Sequence, residues 1–214
     1  YKVLGGGVFS DRINNDYKYV ETIFNVCGLK YPPNLPNDIV DISSEVWFDG
    51  KNGFGYNNTF DECRFFEGNR GSLCRGMGSI IFEGSKESRL YKEGIGRLIP
   101  YLSKTKYTGP ITLYLLVGKD HLYGLGLSAK FKYNSIFSFF ELSKSNSGEI
   151  LNSATQISFK DKTFKSGWGI NVSLVVKPYP LNLPQVYFTN VPIKGINEGS
   201  LKHIWFNDVY KPNG

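Results

Sequence analysis

Asn58-Thr59-Phe60-Asp61-Glu62-Cys63-Arg64-Phe65-Phe66-Glu67-Gly68-Asn69-Arg70-Gly71-Ser72-Leu73-Cys74-Arg75-Gly76-Met77-Gly78 places four glycines and three arginines in one segment, and the apolar run Ser79–Phe82 follows directly. Glycine lets a backbone approach a ligand closely because no Cβ stands in the way. Arginine grips phosphate or carboxylate oxygens with a planar fork of donors. The segment reads either as a Gly/Arg loop that meets an anion, or as a surface loop with turn glycines and a solvated basic flank. A loose glycine-rich loop is a weak motif. The order of its residues, rather than their composition, separates the two readings.

The chain has 214 residues, 41% of them hydrophobic and 21% charged, which is the balance of a folded protein rather than a disordered one. A formal charge of +6, from 25 basic and 19 acidic side chains, favours anionic partners such as nucleotides or sugar phosphates. The charges are interspersed and form no basic tail, which argues against nucleic acid as the partner. Three cysteines, Cys27, Cys63 and Cys74, show no CxxC spacing, so neither a disulfide framework nor a zinc site is expected, and a reducing, cytoplasmic setting fits. No apolar run approaches the length of a membrane span. The chain opens on Tyr1 and stops at Pro212-Asn213-Gly214, and reads as an excerpt of a longer protein.

Outward from the Gly/Arg segment, the periodicities alternate between strand and helix. Val20, Ile23, Phe24 and Cys27 recur at helical spacing after Asp16, with Gly28 placed to end the helix. A proline connector, Tyr31–Asp38, leads to a strand over Ile39–Phe48, turned by Asp49-Gly50. Ser79–Glu83 reads as a short strand, and Ser85–Ser103 as a helix with Leu90, Gly94, Leu98 and Leu102 on one stripe. Strands Ile111–Val117 and Tyr123–Phe131 flank the turn Gly118-Lys119-Asp120-His121.

In the second of these strands Tyr123, Leu125, Leu127, Ala129 and Phe131 point one way, toward a core. Gly124, Gly126, Ser128 and Lys130 point the other way, as the floor of a ligand cleft or a solvated sheet side. Short helices at Ile136–Leu142 and Glu149–Thr155 follow. Then comes a strand over Trp168–Val176 with Ile170, Val172, Leu174 and Val176 inward, and a last strand over Leu201–Tyr210. The two histidines, His121 in the hairpin turn and His203 in the last strand, read as structural.

In this order the motifs resemble the glycinamide ribonucleotide synthetases (phosphoribosylamine–glycine ligases) of the ATP-grasp superfamily, most of all the divergent phage and prokaryotic versions. The residues that carry the resemblance are Glu45-Val46-Trp47-Phe48-Asp49-Gly50, then Asn58–Phe65, then Gly71–Gly78. Tyr107-Thr108-Gly109-Pro110 and Tyr123-Gly124-Leu125 match the family's hairpin, and Gly169-Ile170 with Pro178-Tyr179-Pro180 its next strand. The resemblance implies an α+β fold with an ATP-grasp-like mixed or antiparallel sheet and helices, here an incomplete ATP-grasp domain. An opening segment, 1–38, would precede a core over 39–214 whose C-terminal subdomain begins near 168. It also implies ATP and magnesium as cofactors, and ATP, glycine and phosphoribosylamine as partners. The family activates glycine's carboxylate as an acyl phosphate, which the amine then attacks.

The departures fall on the chemistry. Where the family carries a magnesium-holding Glu and Asn on the polar strand face, this chain has Gly126 and Ser128. Lys130 stands for an Arg, Lys132 and Asn134 for a Gly and an Asp, and Leu73-Cys74-Arg75 for the substrate-addressing Asn-Thr-Gly. The lysine-bearing hairpin expected between Pro36 and Asp41 has no room. Either the chain is a repurposed relative that keeps the scaffold and binds a nucleotide or sugar phosphate without turnover, or the sequence is an incomplete piece of an enzyme. The expectation is that the chain as given does not synthesise the ribonucleotide. Arg64, Gly71, Gly76, Gly78 and Lys130 are the candidate phosphate or substrate contacts; no metal ligand and no catalytic residue is assigned. Single-stranded nucleic acid, bound by stacking, is the remaining class, and the lack of aromatics among Gly126, Ser128 and Lys130 counts against it.

Overall fold

The computed structural model describes residues 8–32, 40–68, 70–155, 164–174 and 193–205. Tyr1–Leu174 and Val175–Gly214 form two compact units. In the second unit, α6 (Glu198–Leu201) is a single turn opened by a capping box, in which the side chains of Asn197 and Ser200 each accept from the other's backbone amide.

The first unit is built on one antiparallel sheet. Its strands are β1 (Val40–Phe48), β2 (Gly53–Phe66), β3 (Arg70–Glu83), β4 (Gly109–Val117), β5 (Leu122–Ser128) and β6 (Trp168–Val172), in the order β5-β4-β1-β2-β3-β6. The period of two divides β1 between two environments. Ile42, Val46 and Phe48 enter a core under α1 (Val8–Asn15), α2 (Tyr17–Cys27) and the helical stretch 90–102. Asp41, Ser43, Glu45 and Trp47 alternate with them on the opposite face. There Trp47 joins Phe54, Ile81, Phe139, Leu142 and Ile150 beneath α4 (Tyr133–Leu142) and α5 (Ser147–Thr155). Trp47 stacks on Phe139 with ring centroids 5.2 Å apart. The fold is α+β with helices on both sides of the sheet.

α2 forms where the sequence places it. The Asp16 side chain accepts from Tyr19 N at 3.1 Å, the helix buries Val20, Ile23 and Phe24, and Gly28 closes it at φ +68. The expected single helix over Ser85–Ser103 is shorter and changes pitch. It runs from a π turn (Leu90–Gly94) through a 3-10 turn (Ile95–Leu98) into α3 (Ile99–Leu102). Gly94 and Gly96 weaken the regular ladder, and Pro100 has no N–H to continue it.

Three expectations are corrected. Asn58–Gly78 is a hairpin, not a loop: Asn58 to Phe66 and Arg70 to Gly78 lie within β2 and β3, and Gly68 at φ +68 supplies the turn. Between the pairs Glu62–Gly78 and Arg64–Leu73, β3 carries more residues than β2, and the excess at Cys74–Met77 bulges out. Second, Ile170, Val172 and Leu174 do not point inward; they are exposed, and Gly169 is the buried residue, against Ile81 and Ser138. α4 covers the face that Gly169 turns to, and that sets the phase of β6. Third, Leu201 ends α6 and His203 lies in the turn after it, so neither begins a strand; 206–210 and Val176 lie outside the described residues. The proline connector beyond residue 32 also lies outside them.

Candidate functional site

A cleft of about 910 Å³ runs past β5, lined from the second face of the sheet and also by Ile13, Asn14, Asn15, Asp16, Tyr17 and Val20 of the α1–α2 region. α4 packs on β3 and β6, which leaves the β4–β5 half of that face uncovered. Gly126 and Ser128 of β5 and Tyr114 of β4 form part of the floor; Asp41, Asp61 and Cys63 stand on one side, and Lys130, Lys132 and Asn134 arrive from the segment that leaves β5.

The cleft has its shape because β5 is irregular. The register between β4 and β5 shifts between Tyr114 and Leu115, so that Gly124 pairs with Leu115 and Gly126 with Tyr114, and Leu125 is the extra residue. The alternation read from the sequence therefore holds only after the bulge. Leu127 and Ala129 pack toward the core, while Gly126 and Ser128 face the cleft. Before the bulge the faces exchange. Gly124 turns to the core, where a Cβ would stand 2.6 Å from Phe24 Cε2, and Leu125 is 38% exposed. Phe131, expected in the core, is 42% exposed.

Past β5, α1 fixes the chain. Ser10 Oγ donates to Ala129 O at 2.8 Å, and Ala129 N donates to Asn14 Oδ1 at 3.1 Å. The next residues divide. Lys130 is exposed, whereas Lys132, the N-cap residue of α4, turns inward with its side chain 13% exposed. Its ammonium donates to Ser43 Oγ at 2.6 Å and forms an ion pair with Asp61 Oδ2. The ammonium also lies 5.7 Å from the centroid of the Tyr114 ring. Across the cleft, Ser79 Oγ donates to Asn134 O at 3.0 Å, and a Cβ on Gly76 would meet Asn134 Nδ2 at 2.6 Å, so the start of α4 rests directly on the β3 bulge.

Beneath Lys132 sits Glu45, 4% exposed. Its Oε1 accepts from Trp47 Nε1 at 3.2 Å and from Asn57 Nδ2 at 3.4 Å, and its Oε2 accepts from Thr112 Oγ1 at 3.1 Å. Burial raises its pKa above the usual carboxylate value, against the opposing pull of Lys132 and these donors. Asp41 is raised by partial burial and by the Asp61 charge, and the Cys63 thiol by burial and by Asp61, Asp41 and Glu62. Asp61 Oδ1 is buried with no hydrogen-bond partner among the described residues.

The structure brings two of the sequence candidates, Gly76 and Lys130, to this cleft. Arg64 and Gly71 lie together toward the hairpin tip, where Arg64 Nη1 donates to Gly71 O at 2.7 Å. Gly78 sits in the β3–β6 pairing, where a Cβ would meet Asn171 O at 2.8 Å. Sequence reading passed over Lys132, Asp61, Asp41 and Glu45 as site residues. The signal for the last two was present: Asp41, Ser43 and Glu45 recur with period two in a strand whose other residues, Ser44 apart, are apolar.

The residues do not fit a magnesium ion at the expected place. Gly126 has no side chain, and a Cβ there would find no atom within 4 Å; Ser128 offers only a hydroxyl. No group of three or more His, Cys, Asp or Glu side chains among the described residues could hold a metal.

No protein-family profile and no curated protein matches the chain. Solved structures do. Phosphoribosylamine–glycine ligase from Thermotoga maritima aligns with a TM-score of 0.51 at 17% identity, over 66% of this chain and 37% of that one. Urea carboxylase from Kluyveromyces lactis aligns with a TM-score of 0.50 at 13% identity, over 75% of this chain and 14% of that one. At these identities the likeness shows the fold: an α+β, ATP-grasp-like arrangement that corresponds to part of the larger chains. No helix among the described residues is long and apolar enough to cross a membrane.

Proposed function

We propose that the chain is a ligase-fold protein of the phosphoribosylamine–glycine ligase type whose cleft binds a phosphate-bearing small molecule. The carrying observation is the open cleft of about 910 Å³ with a glycine in its floor and two lysines, Lys130 and Lys132, at its wall. That volume suits a small-molecule ligand. The motif order and the likeness to the Thermotoga ligase support phosphoribosylamine, glycine and ATP as the ligands, in a cytoplasmic protein. In such a reaction ATP supplies the phosphoryl group that activates the carboxylate. This chain's own residues would bind and orient: Lys130 and Lys132 attract the phosphate, and the start of α4, a 10-residue helix, adds its positive end to the same wall. Arg64, Gly71, Gly76 and Gly78 are proposed as further substrate contacts.

A second reading, binding without turnover, is favoured by Gly126 and Ser128, which supply no carboxylate or amide at the strand positions facing the cleft. One experiment separates the two. The purified chain is heated with and without ATP, magnesium and ribose 5-phosphate, and ADP release is assayed with glycine and phosphoribosylamine. A ligand at about a hundred times its Kd stabilises the folded state by about 2.7 kcal/mol. For a chain of this size that raises Tm by about 5–10 °C. ADP release that requires both substrates establishes the ligase; a Tm rise without release establishes binding alone. No Tm rise with any of the ligands refutes both.

A further inference from the structure

The two lysines of the cleft are electrostatically unequal. Of the carboxylates around Lys132, Glu45 is engaged through both oxygens and Asp61 through one; Asp61 Oδ1 has no hydrogen-bond partner among the described residues, and Asp41 also lines the cleft. Glu45 spends both oxygens on Trp47, Asn57 and Thr112, and Asp61 holds Lys132 through Oδ2. The positions that face the cleft from β5, Gly126 and Ser128, add no charge. Among the described residues that line the cleft, the anchored cation is the Lys132 ammonium at its wall, fixed from two directions by Ser43 and Asp61, beside the ring of Tyr114. An ammonium has three donors. Two are used, and no third partner is present among the described residues. Lys130, two residues earlier, is exposed. A divalent ion brought here would find Asp41 and Asp61 beside an ammonium, and no group of three or more His, Cys, Asp or Glu side chains among the described residues could hold it. A phosphate brought there meets a preoriented charge.

We propose that Lys132 is the specificity-determining cation of the cleft: its ammonium, held by Asp61 and Ser43, binds a phosphate oxygen of the ligand directly and makes phosphate binding independent of any divalent metal. This rests on the phosphate-binding reading above. A partly buried ammonium whose rotamer is already locked loses little side-chain freedom on binding, so it binds more tightly than the exposed Lys130 would.

The test is calorimetric titration of ribose 5-phosphate into the purified chain, in EDTA and again in excess magnesium, for the wild type and for Lys132→Met, Lys132→Arg and Lys130→Met. The expected result is equal wild-type affinity in EDTA and in magnesium. Lys132→Met should bind about tenfold or more weakly, the scale of a lost charge-assisted contact. Lys132→Arg should recover part of that loss, and Lys130→Met should weaken binding by less than Lys132→Met does, as expected of an exposed charge. Circular dichroism of each variant confirms that it is folded. If Lys132→Met does not fold, Lys132→Arg and the wild-type metal dependence still decide. Wild-type binding that needs magnesium overturns this inference and leaves the phosphate-binding reading standing. A folded Lys132→Met that binds as tightly as the wild type also overturns it. Absence of wild-type binding in both conditions overturns this inference and the phosphate-binding reading together.

Discussion

Glu45→Ala should destabilise the first unit by about 2–4 kcal/mol, whereas Glu45→Gln should leave it as stable near neutral pH. The figure follows from what each donor around Glu45 can do once the carboxylate has gone. The Thr112 hydroxyl can rotate, and Asn57 Nδ2 retains its bond to Gly55 O at 3.0 Å. Trp47 Nε1 has no alternative: Trp47 is fully buried and its indole N–H donates only to Glu45 Oε1. An orphaned buried donor costs about 1–3 kcal/mol, and removing the buried Cγ methylene adds about 1 kcal/mol. For a chain of 214 residues that lowers Tm by about 5–15 °C. Glutamine keeps the carbonyl oxygen for Trp47 and Asn57 and offers its amide to the Thr112 oxygen, so every bond survives.

The two variants also separate in their pH dependence. The folded-state pKa of Glu45 is raised by burial, so the folded protein holds a proton that the unfolded chain has released. The favourable contribution is complete below the unfolded value, near 4.5, and is lost as pH rises through the raised folded value. The slope for one such proton is at most about 1.4 kcal/mol per pH unit. Urea denaturation of the wild type, Glu45→Gln and Glu45→Ala across this range measures both effects. The loss of stability with rising pH should be weaker in Glu45→Gln than in the wild type. An alanine variant within about 0.5 kcal/mol of the wild type, or a glutamine variant with an unchanged slope, refutes the reasoning.

Three other outcomes are expected. Gly124→Val drives a branched side chain into Phe24, where even the first carbon would stand at 2.6 Å, and should cost about 1–3 kcal/mol in urea denaturation; a neutral result would mean that the bulge at Leu125 relocates. Gly126→Glu enters open space, so its denaturation midpoint should stay close to the wild type, while ribose 5-phosphate binding weakens because a carboxylate now faces the cleft. Cys63 should be alkylated more slowly in the native chain than in urea at pH 8, read cysteine by cysteine in a mass spectrometer. Burial, Asp61 and Asp41 raise its thiol and Lys132 only partly offsets them; Lys132→Met should slow the reaction further.

Helix α2, β1, β4 and the positions of α4 and α5 were legible because each rests on local information: an Asp16 cap and Gly28 stop, a period-two strand, apolar runs at helical spacing. The residues of the cleft floor, Gly126 and Ser128, were legible for the same reason. The Gly/Arg segment was misread because glycine at positive φ serves a turn and a strand bulge as readily as a ligand loop, and only the partner strand decides. β6 was misphased because its alternation has the same period whichever face is covered, and the packing of α4 determines which face that is.

The sequence by itself determined that helices and strands are mixed, the order of most elements, and the absence of a carboxylate at Gly126 and Ser128, since these depend on residue type and on neighbours in the chain. Only the tertiary structure decided that Lys132, and not Lys130 or Arg64, is the anchored cation. Asp61 and Ser43 lie on different strands far from Lys132 in sequence, and a bulge in β5 together with two hydrogen bonds from α1 to Ala129 turn its side chain toward them. A contact between residues that distant leaves no periodicity to read, because it arises from how the sheet closes.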